Sequence, residues 1–164
     1  MAYAFQDDTL GLTPIAQVDS ARRGPQYPGM LAHAIDPVLG GGEFMYLQGV
    51  ANTVKGSLVT YNALTGQTAL GVTGVHGGQP VAVAMAAIGA GQWGWYMVSG
   101  NALITKTTGA AITLGATVGV TATPGQVASA TLAAAGALAN AITSVAALSA
   151  DTTVNAQLSR PMVN

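Results

Sequence analysis

Pro80-Val-Ala-Val-Ala-Met-Ala-Ala-Ile-Gly-Ala-Gly-Gln-Trp-Gly-Trp-Tyr-Met-Val-Ser99 is the stretch whose reading decides the fold. Its first part alternates large side chains (Val81, Val83, Met85) with small ones (Ala82, Ala84), and a period of two belongs to a strand. Its middle matches a dinucleotide-binding fingerprint literally, Gly89-x-Gly91-x-x-Gly94. That fingerprint needs a helix next, so that the helix N-terminus faces a pyrophosphate, and an acid about 20 residues on for the ribose. Here the strand-like run Trp95-Tyr-Met-Val98 follows, and no Asp or Glu lies between Glu43 and Asp151. The stretch reads as strand, turn, strand, and the glycine match is coincidence. Gly40-Gly41-Gly42 likewise lacks the Lys and Ser/Thr of a phosphate loop.

Working outward, the same short-strand grammar recurs. Leu31–Ile35 runs into the turn signal Asp36-Pro37, and the glycine triplet precedes Glu43–Gln48. Ser57–Tyr61 and Gln67–Leu70 flank Asn62–Gly66, a hairpin loop. Gly94–Ser99, Ala102–Thr105 and Ala111–Leu114 follow, then Val118–Thr121 and Gln126–Ser129 around Thr123-Pro124-Gly125. Residues 130–150 are ambiguous. Leu138, Ile142, Val145 and Leu148 fall near helical spacing, but Gly136, Asn140 and the run Thr143-Ser144-Val145 oppose a helix. The expectation is a loop and then a strand at about 141–147. Thr153–Leu158 reads as a last strand ending at Arg160-Pro161. Residues 30–164 are thus expected to form a mainly β domain, a compact sandwich or barrel of short strands. Residues 1–29, with Pro14, Pro25 and Pro28, read as an extended N-terminal arm holding at most one helical turn around Leu12, Ile15 and Val18. Such an arm orders on contact, by adding a strand to a sheet edge, or else stays a loose terminus.

Composition narrows the function. The chain has 164 residues, half of them hydrophobic and only 7% charged, where an ordinary soluble domain carries roughly 25%. Five basic and six acidic residues give a net charge of −1, which excludes the basic face that nucleic-acid binding needs. No charge occurs from Thr107 to Ala150, yet this Ala/Gly/Thr/Ser run is too small and too polar for a membrane span. Cysteine is absent, so thiolate metal sites, disulfides and cysteine nucleophiles are excluded. The N-terminal residues lack the basic start and apolar run of a signal peptide. So few charges leave little to hold copies apart, and near-zero net charge favours association. A homo-oligomer follows, or else a surface made polar by Thr, Ser, Asn and Gln.

Candidate sites are few. His33 and His76 have no acid or histidine at metal-ligand spacing and read as a strand's solvent face and an exposed turn. No Gly-x-Ser-x-Gly elbow is present, and Asp7-Asp8 reads as a solvated part of the arm. An enzyme, a cofactor and a metal are therefore not expected. The richest feature is Trp93, Trp95 and Tyr96: Trp93, Trp95 and Met97 should face one way, Tyr96 and Val98 the other. Ordinary core, a subunit interface and a sugar-stacking platform compete for it. Arg22-Arg23 reads as a clamp for a neighbour's carboxylate or as a solvated pair. With Tyr3, Phe5 and Tyr27 of the arm, these make the candidate contact set.

Asp36-Pro-Val-Leu-Gly-Gly-Gly-Glu-Phe-Met-Tyr-Leu-Gln-Gly-Val50, Gly56–Asn62, Pro80–Ala87, Gln92–Gly100 and Leu158-Ser-Arg-Pro-Met-Val163 together resemble the capsid decoration, or cement, proteins of tailed bacteriophages. The resemblance spans about residues 30–164 and rests on strand-and-turn patterning; Ala130–Asn140 fits it least. It implies a β-rich virion protein on the capsid exterior that staples adjacent major capsid proteins, commonly as a homotrimer. It supplies no catalytic residue and implies no cofactor. A head-fibre or receptor-binding module using Trp93 and Trp95 against glycans is the alternative. A shell subunit proper and a bacterial surface β-protein are weaker ones.

Overall fold

The computed structural model describes residues 4–5, 12–21, 26–75 and 77–164. Among them there is no helix: the chain forms a curled antiparallel sheet, a half-barrel. The strands are β1 (Ala4–Phe5), β2 (Val18–Asp19), β3 (Leu31–Asp36), β4 (Gly40–Gln48), β5 (Leu58–Tyr61) and β6 (Thr68–Leu70). After these come β7 (Val81–Ala84), β8 (Trp93–Thr105), β9 (Thr117–Val120), β10 (Val127–Ser129), β11 (Ala137–Thr143) and β12 (Thr153–Val163). The main path runs β1-β3-β4-β8-β12-β11-β9-β10.

Strand β8 organises the sheet. One edge pairs with β4, as in Phe44↔Met97 and Tyr46↔Trp95. The opposite edge is shared in succession by β2 at Trp93–Gly94, β7 at Tyr96–Met97 and β12 at Ser99–Thr105. Side chains alternate across such a strand, so β8 serves two cores. Trp95, Met97 and Ile104 join Phe44, Tyr46, Leu58, Leu138 and Leu158 in the larger one. Tyr96 and Val98 join Met45, Leu47, Val59, Ala82, Ala84 and Ile88 in the smaller one. The large/small alternation at 81–84 has the same origin: Val81 and Val83 enter the first core, Ala82 and Ala84 the second.

Six expectations are corrected. The runs 94–99 and 102–105 are one strand, which bends at Gly100 (φ 120). The glycine triplet lies inside β4. There a Cβ on Gly100 would come within 2.8 Å of the Gly41 carbonyl oxygen, so the two backbones approach closely because neither side carries a side chain. The strand expected at 141–147 lies at 137–143, opened by Gly136 (φ 87) and bulged at Asn140 (φ 60). The last strand continues through Arg160 (φ 47) and Pro161 to Val163. Ala111–Leu114 makes only the bridge Ile112↔Ala147, because the turn at Leu114-Gly115 stops it from extending. Instead of a helical turn, residues 14–17 form a tight turn closed by the Gln17 N–H on the Pro14 carbonyl, leading into β2.

The described parts of the arm lie on their own chain. β1 pairs with Ala34 and Ile35 of β3. Ile15 is in the main core, and the Trp95 indole N–H donates to the Thr13 carbonyl at 2.9 Å. Gln26 Nε2 donates to Thr13 Oγ1 at 2.9 Å, with both residues buried. The Tyr46 hydroxyl donates to Asp19 Oδ2 at 2.8 Å.

Candidate interaction surface

The expected contact set does not assemble on one face. Trp95 and Tyr96 are fully buried within the chain and are removed from it, leaving the ordinary-core reading for both. The cause is the sheet topology: strands on both edges of β8 and a core on each face leave them no route to solvent. Trp93 is half-buried and stacks on Tyr46 with ring centroids 5.9 Å apart. Trp95 is therefore out of reach of a glycan, and Trp93 alone of the two tryptophans is partly open to solvent. Tyr27 is exposed, as a contact residue must be. Phe5 is placed only by its backbone pairing with Ala34. Tyr3, Arg22 and Arg23 lie outside the described residues, as does His76.

The buried Tyr96 hydroxyl has one consequence. Burial pushes its pKa up to about 12, against a smaller lowering by the hydroxyls of Thr68 and Thr53. Near neutrality it is a neutral phenol inside the smaller core, not a reactive group.

The glycine fingerprint takes the expected form of a turn. The Gly89 N–H donates to Gln92 Oε1 at 2.7 Å, and β8 begins at Trp93 with no helix to face a phosphate. His33 is on the solvent side of β3, its Nε2 3.6 Å from Glu43 Oε1. On the other side of that carboxylate, Arg160 Nη2 and Nε reach Glu43 Oε2 at 2.9 and 3.0 Å. This exposed cluster ties β3, β4 and β12 together, and such pairs contribute little to stability. At the β3–β4 turn, Asp36 Oδ1 accepts the N–H groups of Val38 and Leu39 at 2.8 and 3.0 Å. The backbone hydrogen bonds from Leu39 and then Val38 hold the Asp36 carboxyl below its usual pKa.

What composition did not single out is where the exposed apolar side chains sit. Leu64 is 90% exposed, Val38 73%, Leu148 71% and Leu114 68%, with Val145, Ile142 and Leu103 also exposed. Two of them sit at hairpin tips, behind Asp36-Pro37 and Asn62-Ala63. The signal was present in part: Val38 and Leu64 lie within the turns opened by Asp36-Pro37 and Asn62, where the chain reverses at the surface. Leu114 and Val145 belong together, because the Ile112 and Ala147 amides exchange hydrogen bonds at 2.8 Å and the Gly115 N–H donates to the Thr143 carbonyl at 2.9 Å. The loop 109–116 is thereby held against 143–149.

Two depressions adjoin this surface. One, of about 200 Å³, is walled by Ile15, Val38, Leu39, Met85 and Leu103, with Lys55 at its rim. The other, shallower and about 440 Å³, is lined by Leu103, Val145, Ala146, Ala150 and Asp151 among others. They meet at Leu103 and Asn155. The first depression is mainly apolar, whereas the second also carries Asp151, Thr152, Thr153 and Asn155. No protein-family model matches the chain, and no curated protein sequence matches it.

Proposed function

We propose that this chain is a structural virion protein. It would decorate the outer surface of a phage capsid as a homo-oligomer, three copies being the expected number, and hold neighbouring major capsid proteins together. One observation carries the reading: a fold with two filled cores still leaves Leu64, Val38, Leu148 and Leu114 in solvent, on a chain with only five basic and six acidic residues. Scattered apolar residues are ordinary on a monomer; this many on so weakly charged an exterior fits a surface that other protein covers. The resemblance noted in β4, β7, β8 and β12 supports the same reading.

The physics suits the task. A packed genome pushes the shell outward, so stabilisation must oppose separation of shell subunits. An oligomer that grips several of them gains avidity, because each later contact forms at high effective concentration. Apolar burial then supplies roughly 25 cal/mol per Å², less the ordering costs of association. The test mixes purified protein with undecorated, expanded phage heads and follows binding by sedimentation and head rupture by heating. Binding with a raised rupture temperature is expected. Heads that neither take up the protein nor gain heat resistance overturn the reading.

A further inference from the structure

We infer that the belt running from Val38 over Leu103 to Val145 is the surface on which a second copy of this chain docks. The inference rests on the homo-oligomer in the proposed function and assigns it a place. Val38, Leu103 and Val145 are all exposed, and Leu103 is the ridge common to the two depressions. Lys55 lines only the first depression and Asp151 only the second. The belt thus has an apolar middle, with the Lys55 cation on one depression and the Asp151 carboxylate on the other; beside Asp151, buried Lys106 donates from Nζ to the Thr107 and Asp151 carbonyls at 2.9 and 3.3 Å.

That pattern selects a copy of itself. Laid in the opposite sense, a second belt sets apolar ridge against apolar groove and brings each Lys55 to the other copy's Asp151. Face-to-face contact of identical belts joins copies two at a time; a closed ring of three would need a second, different surface on each copy. A highly charged partner would instead strip water from ions that the belt cannot pair, which is costly. From Thr107 to Ala150 this chain has no further charge to offer such a partner. Lys55 makes no ion pair among the described residues. Asp151 Oδ2 accepts the Leu148 N–H at 2.7 Å and keeps its charge exposed.

The experiment is the native mass of the purified full chain by light scattering and sedimentation across a dilution series. The variants are Leu103→Asp, Val145→Asp, Lys55→Glu, Asp151→Lys, the double exchange Lys55→Glu/Asp151→Lys, and Asp151→Asn. The wild type is expected to be oligomeric and Leu103→Asp monomeric. Each single charge reversal should weaken association by up to about fivefold, the upper worth of a rim ion pair. The double exchange should recover most of that loss. Asp151→Asn keeps an acceptor for the Leu148 N–H and removes the charge, so it separates the ion pair from the local turn. Circular dichroism and melting verify that each variant folds; if Leu103→Asp does not, Val145→Asp and the charge exchange carry the test. A wild type that is monomeric throughout overturns the inference, and so does an oligomer whose mass ignores all of these changes. The head-binding assay is read separately. An oligomer indifferent to the belt that still stabilises heads sinks this assignment alone; belt-dependent oligomers that leave heads untouched sink the decoration reading alone.

Discussion

Replacing Thr143 by Val tests how the loop carrying Leu114 is held. Thr143 is buried on β11, where its hydroxyl donates to the Thr113 carbonyl at 2.5 Å and accepts the Ala116 N–H at 2.9 Å. Valine keeps the shape and removes both bonds. Each is worth about 0.5–1.5 kcal/mol net, with a further penalty where a partner stays dry. Thr113 is exposed, so its carbonyl finds water; Ala116 is half-buried, and its N–H finds water less easily. The loss works out at about 2 kcal/mol, which for a chain of this size lowers Tm by about 4–8 °C. Urea and thermal unfolding of the monomeric Leu103→Asp background measure it without an oligomerisation term. Amide exchange should show Ala116 and Gly115 losing protection before the strands do. Thr143→Ser, which retains the hydroxyl, is the control. Should Val cost less than Ser, methyl packing would hold the loop and the hydrogen-bond argument would be refuted.

Three further outcomes are expected. Gly100→Ala places a Cβ at φ 120 and within 2.8 Å of the Gly41 carbonyl oxygen, so it should cost about 3 kcal/mol or more, read by urea midpoint; a neutral result would contradict the close β4–β8 approach. Trp95→Phe opens space in the main core and leaves the Thr13 carbonyl without its indole donor; a loss of about 2–4 kcal/mol in the same monomeric background is expected, whereas an exposed contact residue would show almost none. Tyr96 has its pKa raised from 10.0 to about 12, so between those values the unfolded chain gives up a proton that the folded one keeps. Stability therefore holds below pH 10 and falls as pH rises toward 12, by about 3 kcal/mol in all. Tyr96→Phe should flatten that part of the pH profile relative to wild type; an unchanged slope would mean the hydroxyl is not buried as described.

How much of this was legible depended on whether a residue's neighbours were near in sequence. The alternation at 81–84 was readable because a strand between two cores of unequal size places Val on one side and Ala on the other. The opposed faces of Trp95 and Tyr96 followed from the same periodicity. Their seclusion did not, since it depends on β2, β7 and β12 sharing one edge of β8, and those strands come from three distant parts of the chain. Gly40–Gly42 read as a lead-in ahead of the Glu43–Gln48 strand, because glycine usually marks a break; its role inside β4 shows only once Gly100 lies opposite. The shift of β11 to 137–143 has a similar cause. Gly136 and Asn140 looked like interruptions of a helix, whereas one launches the strand and the other bulges it. The exposed Leu and Val residues were counted but not located, because hydrophobic content alone does not say which side chains reach a core.

The position of β12 bears on how the molecule is made. It fills the slot between β8 and β11, pairing residues 153–159 with 99–105 and residues 156–163 with 138–143. During synthesis, then, everything through residue 143 can be outside the ribosome while the sheet is still split in two. In that interval β8 and β11 each present an unzipped edge, the kind that recruits stray strands. Closure must wait for β12 to emerge and join β11 to β8, whose paired residues lie about 50 positions back, a topology that folds slowly. Cooler expression, which weakens apolar association of the open edges, should therefore raise the soluble yield, and a deletion reaching into residues 153–163 should abolish it rather than trim it.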